Sequence, residues 1–155
     1  MAIKRARRLL GAGALGACAL VPASPAAANV DTAIVSRINA VRADDGLRPL
    51  RLSTALDRAA SEHCRDMIAG GGLSHGSPAG SLGVRLRRYV AASTFGETIA
   101  WMPSGRPAAV VRAWLNSAPH RAVLLSPQFG RIGIGELVGS MGGRSGVSFT
   151  ADLAG

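Results

Sequence analysis

Apolar positions follow two rhythms along this chain. From Asp31 onward, Ile34, Ile38 and Val41 are spaced four and three apart, which lines one face of an α-helix. Asp31 or Thr32 is placed to cap its start, and Gly46 to end it. A second helix is expected to begin near Ser53, with Leu56, Ala59, Ala60, His63 and Met67 on its buried stripe and Glu62 and Asp66 outside. Gly70, Gly71 and Gly72 stop it, and the loop that follows carries His75. Residues 82–89 suit a short basic helix capped by Ser81, and residues 108–117 a third long helix that Pro119 breaks, leaving His120 in the loop just past the break.

The second rhythm is alternation. In STFGETIAW, residues 93–101, the side chains of Phe95, Glu97, Ile99 and Trp101 share one face if the segment is a strand. Residues 128–138 and 146–153 read as two further strands, joined by the glycine-rich GSMGGRSG. Helices first, strands late and one strand between helices predict an α+β domain with a mostly antiparallel sheet.

The first 28 residues stand apart. Lys4, Arg5, Arg7 and Arg8 precede a short apolar run, residues 9–21, and Ala26-Ala27-Ala28 offers a small-residue cleavage site. That order is a secretory signal peptide, and glycines and Pro22 interrupt the run too early for a membrane span. Two alternatives are lipidation at Cys18 and twin-arginine export through Arg7-Arg8. The expected organisation is a signal at 1–28 and one domain at 29–155, secreted or periplasmic.

Removing the signal changes the charge. The whole chain carries +9, but from Asn29 onward 14 basic residues face 9 acidic ones, a net +5. The arginines are scattered, with no run beyond Arg87-Arg88, and aromatics are few, so a nucleic-acid partner is not expected. A solvated basic surface suits contact with an anionic envelope. Cysteine is limited to Cys18 and Cys64, so the exported domain has no disulfide and must rely on its core. Cys64 reads as a small hydrophobe on a helix. A monomer is expected.

Glu97 carries the chemical question. It is the only acid between Asp66 and Glu136, and it sits on an otherwise apolar strand face. A buried carboxylate needs a hydrogen-bond donor, a cation or a metal. One of the seven arginines in that interval would serve, and so would the histidines of the two loops, His75 and His120. His75, Glu97 and His120 together have the composition of an open zinc site, although spacings of 22 and 23 residues form no compact chelating motif. A structural polar cluster uses the same residues. His63, on an apolar helix stripe, reads as a core histidine. No serine occupies a nucleophile elbow, and adjacent His63 and Cys64 do not face each other on a helix.

These segments resemble one family. INAVRADDGLRPLRLSTALDRAASEH, LSHGSPAGS, FGETIA, VVRAWLNSAPHRAVLLSPQFGRIGIG and SFTADLAG are similar, in order, to motifs of the CAP superfamily (cysteine-rich secretory proteins, antigen 5 and pathogenesis-related proteins), in its bacterial secreted SCP-like form. The resemblance spans about residues 31–155. It implies a three-layer α-β-α sandwich with a central, mainly antiparallel sheet, and a surface cavity lined by two histidines and two glutamates. Motif by motif, His75 and His120 take the histidine positions and Glu97 the first glutamate; Ser117 stands where the second glutamate falls. Thr98 replaces the motif asparagine and Ala118-Pro119 replaces Pro-Gly. Glu97 is then expected to be the only carboxylate of the cavity, unless Glu136 or Asp152 approaches from the late strands, with zinc or another divalent cation held weakly by His75, His120 and Glu97. The resemblance further implies a binding protein for a lipid, glycan, metal or partner protein at the envelope or outside the cell. The alternative is a metal-assisted, peptidase-like hydrolase using His75, Glu97 and His120.

Overall fold

The computed structural model describes residues 30–155; the expected signal segment and Cys18 lie outside them. Two helices open the domain, α1 at Val30–Asp44 and α2 at Thr54–Gly70, separated by a two-residue strand, β1, at Arg51–Leu52. Next come α3 at Leu82–Leu86, β2 at Phe95–Met102, α4 at Pro107–Asn116, α5 at Ala118–Leu124, β3 at Arg131–Met141 and β4 at Arg144–Ala154. The strands order as β1-β3-β4-β2. The β1–β3 pair is parallel and the other two pairs are antiparallel.

Alternation along the strands sorts the helices into two layers. Ile132 and Ile134 of β3, and Phe149, Ala151 and Leu153 of β4, pack with Ile34, Ile38, Val110, Val111, Trp114 and Leu124 from α1, α4 and α5. The opposite face meets α2 and α3: Leu56 and Leu86 gather with Phe95 and Ala154, while Cys64 and Met67 gather with Ile99 and Trp101. The result is the expected three-layer α+β sandwich, its mainly antiparallel sheet made mixed by β1.

Two glycines set the depth of α2 on the sheet. A Cβ on Gly133 would lie 2.1 Å from the Leu56 carbonyl carbon, and one on Gly135 would lie 2.3 Å from that of Ala60. The helix therefore rests on bare strand backbone, and the Asp57 carboxylate accepts the Ile134 N–H at 2.9 Å.

Some boundaries differ from expectation. The glycine-rich segment between the last strands is mostly strand; the turn is only Gly142-Gly143, with φ of +57° and +76°. Positive φ at both turn positions fits a two-residue hairpin and suits glycine. Pro119 does not leave His120 in a loop. It occupies the first turn of α5, where a missing N–H costs nothing, and His120 is helical. The break between α4 and α5 is instead the extended Ser117.

Candidate functional site

Glu97 sits near the start of the edge strand β2, on the face turned to α2 and α3. Its side chain is 1% exposed. Two groups claim its two oxygens. Oε1 accepts from His75 Nδ1 at 2.7 Å, and Oε2 accepts from Arg85 Nη2. The expectation that an arginine or a loop histidine would answer this carboxylate is met by one of each.

Arg85 is the residue that sequence reasoning left unnamed. It is buried, and it lies on the same stripe of α3 as Leu82 and Leu86, at helical spacings of three and four. Its Nη1 donates to Asp152 Oδ2 at 2.9 Å, and its Nη2 reaches Asp152 Oδ1 at 3.3 Å. Asp152 belongs to β4 and pairs directly with Glu97 across the sheet. Glu97 is therefore not the only carboxylate of this buried cluster. Asp152 supplies the second from a central strand, where both faces are buried and alternation gives no warning.

Two acids and one guanidinium leave a surplus negative charge in a dry place. Burial raises both carboxyls to about 7, and Arg85 pulls them the other way. Their side chains interact directly as well, with Glu97 raising Asp152 further.

His63 is buried, as its place on the α2 stripe predicts, but it does more than fill space. Its Nε2 donates to the Ser74 carbonyl at 2.8 Å and stands 3.4 Å from Glu97 Oε2. Burial, aided by nearby Arg85, lowers its pKa to about 4, so the ring is neutral. The bond to Ser74 anchors the chain one residue before His75, whose own ring is 59% exposed.

The other expected members are placed differently. His120, half-buried on α5, is close enough to His75 for that ring to lower its pKa, after burial as the larger cause. It makes no hydrogen bond to Glu97. Ser117 marks the α4–α5 junction, and its side chain caps neither helix. Beside the loop of His75 lies an open depression of about 750 Å³, bordered by Asp66, Met67, Leu73, Ser74, Ser77 and Pro78.

Glu97 is not placed to ligate a divalent ion. Both Glu97 oxygens are engaged, one by a cation, and among the described residues no group of three His, Cys, Asp or Glu side chains is arranged to hold a metal.

Fold and site together define a CAP domain of the bacterial SCP-like type. The chain belongs to the cysteine-rich secretory protein family, whose model matches residues 35–149. Over 104 residues it is 36% identical to the uncharacterized protein YkwD of Bacillus subtilis, a match that covers 66% of this chain and 40% of YkwD. An equal identity relates it to YlbC, an uncharacterized membrane protein of the same organism, of which 30% is covered. An extracellular protein of Bacillus anthracis containing an SCP domain superposes with a TM-score of 0.68 at 31% identity, covering 81% of this chain and 40% of that one. An outer surface protein of Borrelia burgdorferi shares the fold at 21% identity, with a TM-score of 0.68 over 78% of this chain and 88% of that one. The chain thus spans less than half the length of both Bacillus subtilis relatives.

Proposed function

We propose that this chain is an exported CAP domain that binds a lipid, glycan or protein component of the cell envelope or its surroundings, and holds it without turnover at His75. One observation carries this reading: each oxygen of the buried Glu97 carboxylate is held, by His75 and by Arg85, and of these three side chains only the His75 imidazole reaches solvent. A general base must face a substrate or a water molecule. Glu97, with its side chain 1% exposed, is turned away from both, whereas the His75 imidazole is oriented and exposed, on a loop that borders an open depression, as suits a recognition group. The metal-assisted hydrolase using His75, Glu97 and His120 has less support, because Glu97 is buried and held by Arg85 and His75, and these three residues form no metal-holding group.

Export is supported by the basic-then-apolar order of residues 1–28 and by the extracellular SCP-domain protein of Bacillus anthracis among its structural relatives. The net +5 of residues 29–155 favours an anionic surface nearby.

The test is a panel of envelope lipids and glycans, read by melting temperature and calorimetry. A panel member is expected to stabilise the wild type and to bind His75→Ala about tenfold more weakly, the worth of one lost hydrogen bond to a polar group. Peptide and ester libraries are expected to stay intact, with or without divalent metal. A turnover abolished by Glu97→Gln would replace the binding reading with the hydrolase.

A further inference from the structure

The polar groups at the centre of this molecule converge on one guanidinium. Arg85 is 2% exposed and projects from a five-residue helix whose Leu86 is fully buried. Nη1 donates to Asp152 Oδ2 and reaches the Ala59 carbonyl at 3.4 Å; Nη2 donates to Glu97 Oε2 and reaches Asp152 Oδ1. The fork matches the two oxygens of Asp152, a geometry that a point charge cannot reproduce. Through Glu97 Oε1 the chain of contacts continues to His75 Nδ1. A connected path thus runs from Asp152, fully buried on the central strand, through Arg85 and Glu97 to an exposed ring.

A divalent ion at Glu97 would have to take an oxygen that is already spoken for, beside a fixed positive charge. Two buried carboxylates with no cation at all would be strongly unfavourable. The chain meets that need with its own side chain. We infer that Arg85 is the resident cation of this site, standing in place of a metal ion, and that the path from Asp152 through Arg85 and Glu97 orients His75 without one. Arg85 and Asp152 are then positioning residues, since neither touches a ligand at the exposed ring.

This inference deepens the proposed binding role and rests on the same His75, but the two fail separately. Metal uptake would end this one and leave recognition by His75 standing; a panel without a ligand would do the reverse.

The full chain, stripped of metal with a chelator, is titrated with zinc and with cobalt. Calorimetry, cobalt ligand-field absorption and the NMR signal of the His75 Nδ1 proton are followed. The wild type is expected to show no saturable uptake of either ion and a His75 Nδ1–H signal in the metal-free state. In Arg85→Lys, which keeps the charge and loses the fork, that proton is expected to exchange with water about tenfold faster, the loss of one well-aligned hydrogen bond. Asp152→Asn, which never touches His75, is expected to speed the exchange in the same direction, an effect that a purely local role for Asp152 would not produce. Stoichiometric zinc or cobalt uptake lost in His75→Ala would overturn the inference. So would an Asp152→Asn chain whose His75 proton exchanges at the wild-type rate.

Discussion

Asp152 and Glu97 lie opposite each other on adjacent strands and share one guanidinium. Burial holds both carboxyls at about 7, so the folded pair keeps a proton that the unfolded chain, with carboxyls near 4, has released. Between about pH 4 and about pH 7 the folded state binds more protons than the unfolded state, and stability contributed by the pair falls as pH rises. His63 runs the other way: its folded pKa of about 4 lies below the unfolded value, so its contribution grows as pH rises through the same window. Asp152→Asn isolates the first effect, because His63 remains in both proteins. One carboxylate then faces one guanidinium. The stability advantage of wild type over Asp152→Asn is expected to shrink between about pH 5 and about pH 8 by roughly 2–3 kcal/mol, one extra bound proton over about two pH units. Urea unfolding at both pH values measures it. An advantage that holds constant or grows would mean that no proton is shared.

At the scale of elements, the position of α2 decides whether the site exists, because His63 hangs from it and the His75 loop leaves its C-terminus at Gly71. That helix is seated on Gly133 and Gly135. Gly133→Ala would place a methyl group against the backbone at Leu56 and Asp57, neither of which can yield as a side-chain tip does. It is expected to cost about 2–3 kcal/mol, the upper range for overpacking, read as a lowered urea midpoint, with the His75 loop loosened as well. An unchanged midpoint would show that α2 is not in close contact with β3. Much of this scale is legible in the sequence. The stripe of Leu56, Ala59, Ala60, His63 and Met67 is buried as its spacing requires, and GETIAW is a strand with its acid turned inward. Legibility ends where a partner supplies the reason. The two residues of β1 become a strand only because β3 is there to pair with them. Proline reads as a helix end in Ala118-Pro119, yet it is also compatible with a first turn, and only the extended Ser117 distinguishes the two. Glu97 stands out because it breaks an apolar face, and Arg85 breaks the α3 stripe in the same way, but α3 is too short for the break to be conspicuous. Asp152 could be named beside Glu136 as an acid on a late strand but not preferred to it, since a central strand buried on both sides has no outer face to contrast with.

Across the whole molecule, a chain belonging to a family named for its cysteines has no disulfide among its described residues. Cys64 is free and fully buried on α2, under β4, where its thiol approaches the Ser148 carbonyl and the Thr150 hydroxyl. Burial raises its pKa, which withholds the reactive thiolate while the domain stays folded. The stability of such a domain must come from two packed layers on one sheet, and those layers should come apart together. Cys64 reports on that cooperativity, because a reagent can reach it only when α2 leaves β4. In a Cys18→Ser chain, where Cys64 is the sole thiol, alkylation under native conditions is expected to be slower than in denaturant by roughly a factor of 1000 or more, the protection that a stability of at least about 5 kcal/mol provides. The protection should fall with added urea at the slope measured for global unfolding. Reductant is expected to leave the melting temperature unchanged. Rapid labelling in native buffer, or protection insensitive to urea, would mean that α2 opens from the sheet on its own. His63 and the His75 loop would then leave with it, and the site could not be the preassembled one that recognition at His75 requires.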